Sequence, residues 1–214
     1  MPGRNKEDQA LLQQALDHLA GADGHMKQAI RDIGPPPPRH RPATFGTLMD
    51  VIIAQQVSTA SARAISGRLA ERLSRITPER FIELTDADLR AVGFSRQKTV
   101  YGRDLANAFL EGRVSIPKLR RLTDEDAIIV LSSVKGIGRW SAEVFLLFAL
   151  QRPDIMPAQD LALLVAAQRM KGWRARPEPK KLLKLAETWR PYRSYAARML
   201  WHYYRNGKPS GQPL

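Results

Sequence analysis

Apolar residues recur three and four apart along nearly the whole chain, and no alternating pattern runs long enough to predict a strand. Glu7–Leu19 and His25–Ile33 are predicted as two short helices joined by a turn at Gly21–Gly24. The stretch PPPPRHRP, Pro35–Pro42, can be neither helix nor inner strand and is predicted to be a stiff, extended connector. Thr44 is placed to cap FGTLMDVIIAQQ, and a second helix begins after Ser58, the first residue of STASARAISGRLAERL, whose small residues permit close helix packing. Thr77-Pro78 and Thr85-Asp86 are further starts, and GFSRQKTVYGRDLANAF reads as a turn followed by a basic amphipathic helix. Thr123 precedes Asp124, Glu125 and Asp126, acids placed where a helix dipole favours them. The predicted fold class is all-α, with about ten to twelve short helices in two lobes.

Charge changes the picture. The 214 residues hold 34 Lys and Arg against 21 Asp and Glu, a formal net charge of +13. Self-repulsion on that scale points first to nucleic acid as partner, then to an anionic membrane surface, then to a plain basic soluble protein. From Arg169 to Lys208 there are 12 basic residues and only two acids, Glu178 and Glu187, too one-sided for mutual pairing within the run. With no cysteine there is no disulfide framework, thiolate zinc site or iron–sulfur cluster, and the four His are scattered. No apolar run is long enough to span a membrane, and the polar N-terminus lacks the core of a signal peptide. The expected location is cytoplasmic, associated with the nucleoid if the source is bacterial.

The candidate chemistry starts at LSSVKGIGRWSAEVF, Leu131–Phe145. Gly136 and Gly138 allow a tight turn between helices and let another molecule approach the backbone, while Ile137 can pin the turn to the core. A helix beginning at Arg139 would present its first N–H groups to an anion, above all a phosphate. Lys135, Gly136, Ile137, Gly138 and Arg139 are therefore the candidate phosphate-binding residues. Asp160 stands 22 residues past Gly138, where a helix would begin, and its plain reading is an N-cap.

Leu131 through Ala142 resembles the helix-hairpin-helix of the DNA glycosylase superfamily that carries a Gly/Pro-rich loop and a catalytic Asp. The loop Asp154-Ile-Met-Pro157-Ala-Gln-Asp160 stands at the matching distance. Within that superfamily the chain is most similar to the alkylbase glycosylases, the DNA-3-methyladenine glycosylase II branch. Three stretches carry this: Val51–Ser58, Gly93–Lys98, and Trp189 through Trp201, so the resemblance spans most of residues 44–206. It implies a two-lobed helical bundle with the active site between lobes, without the N-terminal β-domain of some members. Lobes are expected at 44–122, carrying the DNA wedge, and 123–214, carrying the hairpin, the Asp and the closing helix. Residues 1–43 are expected to be helices and connector packed with the C-terminal lobe.

The resemblance further implies a monofunctional enzyme of base excision repair that flips an alkylated purine out of duplex DNA and hydrolyses its N-glycosidic bond. Asp160 is then catalytic, Gln56 with Gln55 beside it is the wedge, and Trp140, Trp201 and Tyr195 face the base, whose positive charge suits an electron-rich ring. Lyase relatives carry a Lys where Trp140 stands, so no strand cleavage is expected; a frequent Pro is replaced by Lys135. No cofactor or catalytic metal is expected, although a monovalent cation can sit at the hairpin carbonyls. The expected partner is double-stranded DNA containing alkylated bases, bound by a monomer, with no membrane. The rivals are a glycosylase for another lesion, a DNA-binding module that lost catalysis, and a hairpin protein of a replication or recombination complex.

Overall fold

The computed structural model describes residues 2–207, and among them there are thirteen α-helices, one 3-10 turn and no strand. The helices are α1 (Pro2–Ala22), α2 (Gly24–Ile33), α3 (Phe45–Ile53), α4 (Thr59–Leu73), α5 (Pro78–Ile82), α6 (Asp86–Val92) and α7 (Arg96–Leu110). They continue with α8 (Ile116–Arg121), α9 (Asp124–Ser132), α10 (Arg139–Phe148), α11 (Leu161–Lys171), α12 (Pro179–Ala186) and α13 (Arg193–Asn206), with the 3-10 turn at Glu187–Trp189. The expected all-α class holds.

Side-chain caps mark most of the starts. Thr44, Ser58, Thr77, Thr85, Ser95, Ser115 and Thr123 each accept a hydrogen bond from a backbone N–H in the first turn of α3 to α9 respectively. Thr85 and Asp88 complete a capping box. The expected turn at Gly21–Gly24 is narrower than its glycines suggest. Helix α1 continues through Gly21, and only Asp23 leaves helical geometry, because its carboxylate accepts from His25 N–H (3.0 Å) and Met26 N–H (3.3 Å) to start α2.

The chain forms two compact units, residues 40–151 and residues 1–39 with 152–214. This moves the boundary expected at 122/123: the hairpin belongs with the preceding helices, and Asp160 and the closing helix belong with the N-terminal segment. The reason is packing. In the first unit α7 lies against α3 and α5, and α10 packs on α9 and α3. Phe45, Phe81, Phe94 and Phe109 form a chain of ring contacts at 5.5–6.1 Å, and a Cβ at Gly102 would sit 2.6 Å from Phe81.

In the second unit α13 packs on α11, α2 and α1, so the N-terminal helices close over the C-terminal ones. Asp23 ties them together. Its carboxylate accepts both 2.7 Å bonds from Lys171 Nζ and a 3.1 Å bond from the indole N–H of fully buried Trp189. Trp189 is thus a core residue. The extended connector is held at each end by its own unit: Arg198 donates to the Pro37 carbonyl (3.3 Å), and Arg41 N–H donates to Phe148 O (3.0 Å).

Candidate nucleic-acid interface and active site

The hairpin joins α9 to α10, closed by Val134 N–H to Leu131 O (3.1 Å) and Ile137 N–H to Val134 O (3.0 Å). Val134 and Ile137 are buried and anchor it to the core. Its two glycines serve different ends. Gly136 has φ 84°, and a Cβ there would lie 2.2 Å from the Tyr101 ring of α7, so only glycine fits. Gly138 has φ −83° and caps α10, with nothing within 4 Å of where its Cβ would be. The protein's own packing does not require glycine there; open space at a helix start does suit a close-approaching anion.

Lys135 is exposed, and its backbone N–H donates to Asp104 of α7 (2.8 Å). A proline at that position could not make this bond. Arg139 departs from its expected phosphate role. Its guanidinium is bidentate to Glu125 (2.7 Å to each oxygen) and reaches Glu143 (3.0 Å). Hydrogen bonding to Glu125 holds Arg139's pKa above its ordinary value. Burial pushes Glu143 up to about 7, against the pull of the Arg139 charge. The Arg139 side chain is thus paired with exposed Glu125 and buried Glu143.

The expected wedge lies in the turn after α3. The helix stops at Ile53, short of Gln55 and Gln56, and the buried Lys98 of α7 donates to the Ile53 carbonyl (2.7 Å). Burial holds Lys98's ammonium below its usual value. Gln56 is exposed and left-handed at φ 56°, a conformation a non-glycine residue rarely takes. The side chain of Gln55 instead donates to the Gly136 carbonyl of the hairpin (2.6 Å), which sets it apart from the wedge role expected for it.

Asp160 is the N-cap of α11, its carboxylate accepting from Leu163 N–H (3.1 Å). The loop before it is held by the start of α13. Arg193 donates to both Asp154 oxygens (2.9 and 3.0 Å) and to its carbonyl (2.9 Å). Ser194 Oγ donates to Arg152 O (2.6 Å) and accepts from Ile155 N–H (2.9 Å), and Ser194 N–H donates to Pro153 O (2.9 Å). With Ile155, Met156, Pro157 and Ala158 buried, the loop delivers a half-buried Asp160 in a fixed place. Tyr195 and Trp201, both half-buried, lie on α13, which packs against α11. Trp140, 41% exposed, stands in the first turn of α10 in the hairpin's own unit.

Sequence reasoning missed the supports: Tyr101 and Asp104 under the hairpin, Lys98 behind the wedge turn, and Asp154, Arg193 and Ser194 behind Asp160. Their only trace in the sequence is that Lys98, Asp154, Arg193 and Ser194 fall inside matched segments. The basic C-terminal run is also less free than its count implies, since Lys171 pairs with Asp23 and Arg190 and Arg193 pair with Asp154 and Glu187. Among the described residues no group of three or more His, Asp or Glu could hold a metal ion, and no helix is long and apolar enough to cross a membrane.

The family model described as HhH-GPD superfamily base excision DNA repair protein matches residues 49–191. The alkylbase DNA glycosidase-like protein mag2 of Schizosaccharomyces pombe is 30% identical over 87% of this chain and 91% of its own length. DNA-3-methyladenine glycosylase 1 of the same yeast is 30% identical, covering 89% of this chain and 86% of its own. The solved structure of the yeast 3-methyladenine DNA glycosylase (Mag1) in complex with abasic DNA superposes with a TM-score of 0.81 at 30% identity, over 90% of this chain and 97% of that one. With two thirds of its length matched by the family model and the hairpin and Asp160 loop both inside that match, this chain belongs to the HhH-GPD superfamily of base excision DNA repair proteins.

Proposed function

We propose that the protein is a monofunctional DNA glycosylase that releases alkylated purines of the 3-methyladenine and 7-methylguanine type from duplex DNA. The observation that carries this reading is Asp160, a half-buried carboxylate at a helix start on an anchored loop, in a chain similar over nearly its whole length to DNA-3-methyladenine glycosylase 1. The hairpin grips the backbone of the DNA through the N–H groups around Gly138 and through Lys135, and Gln56 fills the space the flipped nucleotide leaves. Trp140, Trp201 and Tyr195 are the aromatic faces for the cationic base.

Alkylation at N3 or N7 makes the purine cationic, so it leaves with the glycosidic electron pair as a neutral base and needs little protonation. Positive charge grows on the sugar as the bond lengthens, and the Asp160 carboxylate stabilises it. Water then attacks C1′, its proton passing to Asp160 and on to solvent, leaving an abasic sugar. Trp140 offers no amine for a Schiff base, which favours hydrolysis without strand cutting. The monovalent cation at the hairpin is part of the proposal. The Val134 and Gly136 carbonyls accept one hydrogen bond each, from Ile137 N–H and Gln55, and each keeps a lone pair for such an ion. No step of the reaction runs through it.

The test is incubation with methylated and, separately, oxidised duplex DNA, with products separated as free base and strand. The expected result is free 3-methyladenine with strands that break only after alkaline treatment. Breakage without alkali would establish a lyase, and release of oxidised guanine alone would move the substrate to another lesion.

The two glycines offer a second check. Gly136→Ala meets Tyr101 and a left-handed backbone, and is expected to lose about 1–3 kcal/mol of stability, read by denaturant unfolding. Gly138→Ala is expected to lose less than about 1 kcal/mol, yet to bind an abasic-analogue duplex about tenfold more weakly. Unimpaired binding by Gly138→Ala would remove the hairpin from the DNA interface.

A further inference from the structure

We infer that Gln55 is a positioning residue that couples the wedge to the phosphate grip; this rests on the glycosylase reading. The turn from Ala54 to Ser58 must hold Gln56 in a left-handed conformation that its side chain disfavours, and surrounding contacts have to impose it. Three do so. Upstream, Lys98 donates to the Ile53 carbonyl at the end of α3, a favourable place for a cation at a helix C-terminus. Downstream, Ser58 Oγ accepts from Ser61 N–H (3.1 Å) and starts α4. Between them, Gln55 Nε2 donates to Gly136 O at 2.6 Å, across 81 residues of sequence.

The partner of Gln55 is what gives the contact its meaning. Gly136 is the hairpin residue already fixed against the Tyr101 ring, while the Lys135 N–H beside it is fixed by Asp104. Gln55 therefore ties the wedge turn to the most immobile part of the hairpin. A phosphate held at the hairpin and a side chain entering the base stack then have a set separation, and gripping the backbone places the wedge. Gln56, exposed and without such a bond in the structure, acts by filling space; Gln55 acts by its amide donor.

That difference in chemistry makes the two separable. A wedge needs volume, and apolar residues serve as wedges in other proteins. Gln56→Ala, which removes that volume, is therefore expected to lose unstacking of the DNA. Gln55→Met keeps the volume and loses the donor, so its unstacking equilibrium is expected to fall about tenfold, the effect of one hydrogen bond. The readout is the fluorescence of 2-aminopurine beside an abasic analogue, at protein concentrations that saturate the duplex. Excision from methylated duplex should fall by the same factor, and excision from methylated single strands should not. Gln55→Lys, which keeps a donor, is expected to restore unstacking, and Gln55→Glu, which presents an oxygen to the Gly136 carbonyl, to lose it; these two carry the test if the Met variant folds poorly.

Wild-type unstacking by Gln55→Met would overturn the assignment. Equal losses on duplex and single strand would place Gln55 in the general architecture of the hairpin and overturn it too. If wild-type protein released no base while this unstacking pattern held, the glycosylase reading would fail and the coupling would stand.

Discussion

Asp160→Asn is expected to release 3-methyladenine at least about a thousandfold more slowly than wild type under single-turnover conditions, while folding and binding abasic-analogue DNA normally. The substitution isolates charge. Asp160 also caps α11 through Leu163 N–H, and asparagine caps a helix as well as aspartate does, so the helix start survives. What disappears is the negative charge facing the developing oxocarbenium ion and the group that takes the proton from water. Asp160→Ala would confound the two by removing the cap as well, at about 1 kcal/mol. Single-turnover measurement matters because product release can limit steady-state rates and mask a change in chemistry. An Asp160→Asn protein as active as wild type would show that the carboxylate is only a cap.

Asp23→Ala is expected to be the most destabilising single change, at about 3–5 kcal/mol by denaturant unfolding. It would strand the ammonium of Lys171, only 12% exposed at its side chain, and the indole N–H of fully buried Trp189, and would uncap α2. Burial pushes the Asp23 carboxyl up, but the Lys171 hydrogen bond and charge, with the Met26 and Trp189 N–H groups, outweigh it and leave it below the ordinary carboxylate value. A lowered carboxylate stabilises fully above its unfolded value, about 3.9, and the contribution is lost as pH falls through the folded value. The wild-type protein should therefore lose stability on the acid side of about pH 4 more steeply than Asp23→Asn. A loss below about 1 kcal/mol in Asp23→Ala would mean the N-terminal helices are held by apolar packing alone.

These two aspartates differ in how far the sequence reveals them. Asp160 stood out because its signals lie in the sequence: a helix start after a Pro-containing loop and, through the family resemblance, its distance from two glycines. Asp23 shows in sequence as no more than a helix cap, since Lys171 and Trp189, the partners that tie the unit together, are 148 and 166 residues away. The same contrast explains the domain boundary. A new lobe was expected from 123, yet the Thr-Asp-Glu-Asp start there opens a helix, and α9 and α10 pack onto earlier helices.

The charge run at the C-terminus shows the limit most directly. Within the run there are too few acids to pair the basic residues, but Asp23 and Asp154, outside it in sequence, are brought to Lys171, Arg190 and Arg193 by the fold. Arg139 was assigned to phosphate because it follows the hairpin; Glu143 lies one turn further along its own helix, and packing of α9 on α10 brought Glu125 to its guanidinium.

By itself the sequence determined the all-helical class, most helix starts, the hairpin and the position of Asp160. Each of these depends on neighbours within a turn or two: a Ser, Thr or Asp cap satisfies N–H groups two or three residues on, and apolar spacing writes itself along one helix face. The tertiary structure alone decided that Asp23 meets Lys171 and Asp154 meets Arg193, that Gly136 must be glycine because of Tyr101 while Gly138 stays open, and that Gln55 serves the hairpin rather than solvent. Those outcomes are contacts between residues far apart in the chain, whose energies exist only once packing has excluded water and brought the partners within hydrogen-bonding reach.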